Sequence, residues 1–296
     1  MAVSVATGFF DGVHTGHRLV VDTLVSLARS RGEESVVVTF WPHPRAVLRQ
    51  DADSLKLLTS LEDKTAMLRG LGVDRVEVVP FSREFGALST GDYLSEVLQG
   101  KFGAAAIVLG YDNSIGSDLL SPADTAGIAS QLGMEAIVCE PLGGPSGPAV
   151  SSTSIRRFLS EGNILDAKAM LGWDYSLKGV VVPGNRIGRT IGFPTANMQL
   201  YEPRLLVPAN GVYLVGVEVD GAFYHGLTNI GVRPTVGDGC GTTIETHILG
   251  FDDDIYGLDI RISFLRRIRE ERRFGSLSEL AAQLSRDREK ALAELL

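Results

Sequence analysis

Val3-Ser4-Val5-Ala6-Thr7-Gly8-Phe9-Phe10-Asp11-Gly12-Val13-His14-Thr15-Gly16-His17 is a short β-branched run that breaks into glycines and histidines. Residues 3–6 predict a strand and the apolar spacing over 16–31 predicts a helix, so this stretch reads as a strand-to-helix turn. The same rhythm continues outward. Strands are expected over 35–40, 75–79, 105–109 and 135–140, alternating with helices over 61–71, 90–98 and 122–132. Near-continuous apolar strands alternating with helices predict an α/β unit with a parallel sheet covered on both faces.

Beyond Gly143-Gly144-Pro145-Ser146-Gly147, expected as a flexible loop, residues 151–171 carry helical apolar spacing at Ile155, Phe158, Leu159, Ile164, Ala167 and Leu171. From Tyr175 the pattern changes to strand, turn, strand, over 179–182, 211–219, 222–229, 242–249 and 259–264. Asp220-Gly221 between two alternating runs is a two-residue hairpin signal. An all-β unit is therefore expected, an antiparallel barrel or sandwich closed by an amphipathic helix over 276–296. The change of pattern near 172–178 sets the expected domains at 1–175 and 176–296.

Composition narrows the function. Against 28 Lys+Arg stand 36 Asp+Glu, a net charge of -8, so the chain as a whole does not attract nucleic acid or anionic lipid. Any phosphate must be held by local cations and backbone amides. Cys139 and Cys240 lie far apart with no metal-ligand spacing, which argues against a disulfide framework and a zinc cage. Arg18 is the first cation, so no signal peptide is expected, and no apolar run reaches the roughly 18 residues of a membrane helix. The expected compartment is the cytoplasm.

At the end of a parallel strand, glycines let an anion approach the backbone, and the free amides and dipole of the following helix favour it. His14 and His17, three residues apart on one side of the helix start, add two imidazoles there. Ser151-Ser152-Thr153-Ser154-Ile155-Arg156-Arg157 opens a second predicted helix. Its hydroxyls are read equally as an N-cap or, with an arginine beside them, as a clamp for β- and γ-phosphates. In Gly188-Arg189-Thr190-Ile191-Gly192-Phe193-Pro194-Thr195-Ala196-Asn197, an extended segment after Pro194 turns Thr195 and Asn197 to one face. Two neutral oxygens there suit a Mg²⁺ that keeps phosphate and water as its other ligands.

Together these residues resemble the bifunctional bacterial riboflavin kinase/FMN adenylyltransferase family, also called FAD synthetase. Gly8, Phe10, Asp11, Gly12, His14, Gly16 and His17 match its G-x-F-D-G-x-H-x-G-H pattern, and Ser151, Ser152, Thr153, Ile155 and Arg156 match S-S-T-x-I-R. The resemblance implies a Rossmann-like nucleotidyltransferase domain followed by a riboflavin-kinase β-barrel. It implies that His14 and His17 hold the ATP phosphates and that Ser152, Thr153 and Arg156 contact the triphosphate tail. The FMN phosphate would attack the α-phosphorus of ATP.

The kinase half carries G-R-x-x-G-F-P-T-A-N, and the resemblance implies that Thr195 and Asn197 bind Mg-ATP under a loop containing Gly188, Gly192 and Pro194. Glu245 matches the base that activates riboflavin's terminal ribityl hydroxyl. Asp112, Asn229 and Arg233 are expected near flavin or nucleotide. Two segments depart from the family. Trp41 stands where an acidic residue is frequent, and Gly110-Tyr111-Asp112-Asn113-Ser114-Ile115-Gly116 keeps Asp112 while losing two aromatics. The activity implied is riboflavin to FMN and FMN to FAD, with ATP, riboflavin and FMN as substrates and Mg²⁺ as cofactor. The alternatives are a chain that keeps only the kinase, or a protein that binds flavin without turnover. No nucleic-acid or membrane partner is expected, and the state is monomer or weak homo-oligomer. Asp252-Asp253-Asp254 lacks EF-hand spacing and reads as a solvated turn.

Overall fold

The structure, a computed structural model, describes residues 2–48, 55–143, 147, 149–184, 187–234 and 240–295. Its contacts divide the chain into two compact units, Met1–Ser152 and Thr153–Leu296. Gly144, Pro145 and Ser146 of the glycine-rich stretch lie outside the described residues.

The first unit is a five-stranded sheet in the order β3-β2-β1-β4-β5, with β1 Val3–Thr7, β2 Glu34–Trp41, β3 Arg75–Pro80, β4 Ala104–Leu109 and β5 Glu135–Val138. Every pairing is parallel. β1 sits in the middle and all five of its residues are buried, which explains its unbroken apolar reading. Alternate residues feed two cores. Val3, Val5, Val36, Val38, Ile107 and Leu109 face one side. Ala6, Val37 and Val108 face the other, against Val21 and Leu24 of α1 Thr15–Arg31 and Leu68 of α3 Leu61–Gly70. α2 Pro44–Leu48 is a short turn after β2, and α4 Thr90–Asp92 runs on into a π-helical stretch Tyr93–Lys101. α5 Pro122–Gln131 completes the layer, with Ser121 as N-cap and Pro122 at the position where a missing amide costs nothing. The chain leaves β1 toward β2 on one side and later crosses to β4 on the other. Strand order therefore reverses between β1 and β4, and a crevice opens beyond their carboxyl ends.

The second unit is a closed barrel in the order β10-β7-β6-β11-β8-β9. Its strands are β6 Ser176–Val182, β7 Ala196–Leu200, β8 Gly211–Val219, β9 Ala222–Pro234, β10 Cys240–Ile248 and β11 Asp259–Arg269, all paired antiparallel. Asp220 and Gly221 take positive φ of 49° and 73°, the conformation that a two-residue turn matching strand twist requires. Of the two all-β arrangements expected, the barrel is the one formed, because β6 pairs with β11 and β7 with β10 so that no strand edge is left. Its interior is filled by Tyr213, Phe264 and Tyr175, with Tyr213 edge-on to Phe264 at 5.3 Å.

α6 Ser152–Glu161 and α7 Ile164–Leu171 precede the barrel, and α8 Ile187–Thr190 interrupts the link from β6 to β7. The amide of Ala209 donates to the Leu159 carbonyl at 3.0 Å, and Arg267 donates to the Glu161 carbonyl. These bonds attach α6 to the loop before β8 and to β11, and α7 packs on β11, so the contact division precedes both helices although the sequence pattern changes only after them. α9 Leu277–Glu294 is capped by Ser276, whose hydroxyl accepts the Glu279 amide, while the Glu279 carboxylate accepts the amide of Gly275, the residue before the cap. It is fixed to β11 by Arg269, whose Nε and Nη2 lie 2.9 and 2.8 Å from the Asp287 carboxylate. Among the described residues no helix is long and apolar enough to cross a membrane.

Asp287 is 3% exposed, so removing its carboxylate strands a largely buried guanidinium. Asp287→Ala is expected to lower the barrel's stability to urea by about 3 kcal/mol without moving the unfolding transition of the first unit. A loss below about 0.5 kcal/mol would show the pair behaving as an ordinary surface contact.

Candidate active sites

In the first unit the decisive loop follows β1. Phe10 and Val13 adopt positive φ, 55° and 37°, uncommon for non-glycine residues, and both side chains are buried, which holds the strained turn in place. The Asp11 carboxylate is turned into the protein. It accepts the amides of Leu58 and Thr59 at 2.9 and 3.2 Å, and the Thr59 hydroxyl accepts the Gly12 amide. Asp11 thus ties the loop to the segment ahead of α3. Ser152 donates to the Asp11 carbonyl at 2.9 Å, so within this unit the second motif's hydroxyl reaches the first motif's backbone.

His14 is the N-cap of α1. Its Nδ1 accepts the His17 amide at 3.2 Å, and this bond lays the two imidazoles face to face, centroids 3.6 Å apart and 14° from parallel. His17 is half-buried, and its enclosed Nδ1 has no hydrogen-bond partner. Burial, then the charges of His14 and Lys64, push its proton affinity well below the ordinary histidine value of 6.5. A helix N-terminus with a buried, unpaired imidazole nitrogen is arranged to receive an anion. Gly8 lies at the strand end and donates to the Val38 carbonyl, and a Cβ on Gly16 would press on the His14 ring at 3.3 Å.

Beside this loop lies a cavity of about 260 Å³ lined by Thr7, Gly8, Phe9, Phe40, Phe85 and Tyr93, among others. Phe40, Phe81 and Phe85 meet at 5.7 to 5.9 Å. Sequence motifs do not reveal this wall, because its aromatics are scattered along the chain. The one signal was position: Phe40 is the penultimate residue of β2, and Phe81 follows β3 directly. The residues that depart from the family are built into the structure. Trp41 stacks on Phe9 with centroids 6.4 Å apart, Asn113 donates to the Thr7 carbonyl at 2.7 Å, and Ile115 is buried in the cavity lining. The Asn113 bond joins the loops after β4 and β1 across the point where strand order reverses. Asp112 is exposed on that loop.

In the second unit register assembles the site. Glu245 of β10 is directly opposite Asn197 of β7 on one side and Asn229 of β9 on the other. Directly opposed residues share a face, so the three form a row across three strands. Their neighbours Ala196, Thr246 and Thr228 form the next row and are buried, with the two threonine hydroxyls 2.8 Å apart. The row Asn197, Glu245, Asn229 is half-buried on the outer face. Above it, a Cβ on Gly184 would lie 2.2 Å from Asn197 Nδ2, so the chain after β6 lies tight against the Asn197 amide.

The loop into β7 is pinned by a residue that sequence reading passed over. His247, two positions beyond Glu245, bonds through Nδ1 to the Pro194 carbonyl at 2.8 Å, with its ring edge-on to Phe193. The amide of Phe193 donates to the Gly188 carbonyl at 2.8 Å, and a Cβ on Gly188 would collide with the Phe193 carbonyl at 2.2 Å. Gly192 has φ 80°. Pro194 and Thr195 line a small cavity of about 80 Å³ with Thr246, Ile248 and Tyr256, and the exposed Asp252, Asp253 and Asp254 form its rim. The hard neutral oxygens of Thr195 and Asn197 suit Mg²⁺ completed by phosphate, and among the described residues there is no cluster of three His, Cys, Asp or Glu that could hold a metal. The side chains of Arg233 and Cys240 lie outside the described residues, and Thr153 and Arg156 stand on α6.

Family models described as FAD synthetase and riboflavin kinase match residues 1–154 and 171–295. A Bacillus subtilis protein named bifunctional riboflavin kinase/FMN adenylyltransferase is 36% identical over 97% of this chain and 90% of its own length. The Escherichia coli K12 protein of the same name is 36% identical over 95% and 88%. A crystal structure named macrolide-efflux protein, from Streptococcus pneumoniae, superposes with a TM-score of 0.89 at 32% identity, covering 97% of this chain and 93% of that one.

An unpaired buried nitrogen costs about 1–3 kcal/mol, so His17→Leu is expected to leave the first unit as stable to denaturant as before, or more so. The unfolded chain binds a proton near pH 6.5 that folded His17 refuses, so stability present above that pH is lost below it. The leucine variant should lack that part of the acid slope. A destabilisation of about 2 kcal/mol at neutral pH would make His17 a structural member instead.

Proposed function

The chain belongs to the bifunctional riboflavin kinase/FMN adenylyltransferase family, and from that premise we propose which residues carry each of its two reactions. The enzyme phosphorylates riboflavin to FMN with ATP, and adenylylates FMN to FAD with a second ATP, releasing pyrophosphate. Adenylyl transfer is assigned to the α/β half, expected at 1–175, and phosphoryl transfer to the barrel half, expected at 176–296.

In adenylyl transfer an FMN phosphate oxygen forms a bond to the α-phosphorus while the bond from that phosphorus to the bridging oxygen of pyrophosphate breaks. No covalent enzyme intermediate is needed, and positioning together with charge stabilisation supplies the acceleration. His14, His17 and the amides at the start of α1 receive the phosphates, with Gly8, Gly12 and Gly16 leaving room for them. Phe10 and Asp11 hold the loop in shape. Ser152, bonded to the Asp11 carbonyl, meets the triphosphate tail, and the same role for Thr153 and Arg156 rests on the family pattern alone. The aromatic cavity beside Gly8 takes the flavin ring of FMN, and Asp112 stands on the loop whose residues 113–116 line that cavity. A cavity of about 260 Å³ walled by phenylalanines supports that placement.

In phosphoryl transfer Glu245 accepts the proton of riboflavin's terminal ribityl hydroxyl, whose oxygen bonds to the γ-phosphorus as ADP leaves. Asn229 and Arg233 contact flavin or nucleotide. Thr195 and Asn197 would hold Mg²⁺ beneath the loop of Gly188, Gly192 and Pro194. Bound there, the ion would neutralise charge on the transferring phosphate. The single observation that carries this assignment is the register that sets Glu245 opposite both Asn197 and Asn229. The cytoplasmic location and the monomeric or weakly oligomeric state expected from the sequence belong to the same proposal.

The test is a chromatographic time course resolving riboflavin, FMN and FAD for the full chain and two variants. Glu245→Gln is expected to slow FMN formation by about 10²- to 10⁴-fold while FAD still forms from supplied FMN. His17→Ala is expected to do the reverse. Equal loss of both products in either variant would sink the division of labour.

A further inference from the structure

Behind the phosphate-binding loop of the first unit lies a cation that neither reaction has been assigned. Lys64, one turn into α3, is 1% exposed. Its ammonium group donates to the Phe9 carbonyl at 2.9 Å and to the Thr39 hydroxyl at 3.0 Å, and lies 3.7 Å from the centre of the Phe9 ring. Thr39 in turn donates to the same Phe9 carbonyl at 3.1 Å. One side chain of α3 therefore grips both the backbone and the ring of a residue on the β1–α1 loop, and anchors it to β2.

Phe9 is the hinge between the two halves of the proposed adenylyl site. On one side its neighbour Gly8 and its own ring line the aromatic cavity. On the other, the chain runs through the strained Phe10 and Val13 to the stacked imidazoles. A buried lysine is expensive, and a methionine of similar length would satisfy packing alone. We propose that Lys64 is a positioning residue for adenylyl transfer, holding Phe9 from behind so that the phosphate loop and the flavin cavity keep one relative geometry. This rests on the reading of the first unit as the FMN adenylyltransferase.

The surroundings of the amine give that role a signature. Burial lowers its pKa from 10.5 to about 7, and the nearby Asp11 carboxylate opposes the shift. Of the groups packed around it, His17 of α1 feels its charge, β2 presents the neutral Thr39, and on α3 itself Asp63 is engaged by Ser60. The charged form makes the stronger bond to the Phe9 carbonyl and the only cation–π contact. As pH rises through about 7 the grip weakens in the free enzyme.

The experiment compares both reactions in the full-length protein carrying Lys64, Lys64→Met or Lys64→Arg. Methionine is expected to lower kcat for FAD formation by roughly 10- to 100-fold, with KM for ATP little changed and riboflavin phosphorylation unaffected. Arginine is expected to restore most of the rate and, being cationic throughout, to remove the fall in kcat/KM above neutral pH that is expected of the unchanged protein. An unaltered kcat in Lys64→Met overturns the proposal. Should that variant not fold, matching pH profiles for the unchanged protein and Lys64→Arg overturn it. Failure of the unchanged protein to make FAD at all overturns the reading of the first unit instead.

Discussion

Backbone hydrogen bonding between strands is the interaction on which every site in this protein depends, and it acts differently in the two units. In the first, all pairings are parallel, so all five carboxyl ends lie along one edge. The loops that follow β1 and β4 must then emerge side by side where strand order reverses, and the Asn113 bond to the Thr7 carbonyl closes that junction. In the second, pairings are antiparallel, and register alone decides which side chains stand opposite one another. A slip of one residue in β10 would exchange Glu245 with Thr246, putting a carboxylate inside the barrel and a buried hydroxyl outside.

The first unit accepts local costs at its site. Two non-glycine residues hold positive φ, an imidazole nitrogen is buried without a partner, and an ammonium is enclosed by a carbonyl, a hydroxyl and a ring. Each feature destabilises by itself, and the covered sheet supplies the packing that fixes them. They cluster within one loop and the helix facing it. That concentration suits the phosphate-receiving role proposed for the loop, because the fields of a few fixed dipoles and charges act without reorganisation. In the barrel unit the row Asn197, Glu245 and Asn229 stands on regular strands, and the loop of Gly188, Gly192 and Pro194 beside it is held down by His247.

Much of this was legible in the sequence because local chemistry and global placement agree. The β-branched runs of β1, β2 and β4 announce buried parallel strands, Asp220-Gly221 announces a hairpin, and two glycine-rich signatures mark the loops proposed to receive phosphates. What escaped reading depends on long-range pairing. Nothing in residues 176–182 says that they will pair with β11, so the strand pattern left barrel and sandwich open, and only the family resemblance implied the barrel that forms. The aromatic cavity draws on Phe40, Phe81, Phe85 and Tyr93, which share no motif and meet only through the sheet. His247 and Lys64 carry no motif of their own, because a sequence shows what a residue is but not what lies behind it. Asp11 matched a nucleotide motif, while its carboxylate binds the protein's own amides.

The central claim is that one chain transfers two different parts of ATP at two separately built sites. Isotope tracing tests it most directly: the full-length protein is given riboflavin and Mg²⁺ with ATP labelled either at the γ- or at the α-phosphorus. The account predicts that γ-label enters FMN and persists in FAD, while α-label appears in FAD alone. FAD free of α-label, or FMN free of γ-label, would contradict it.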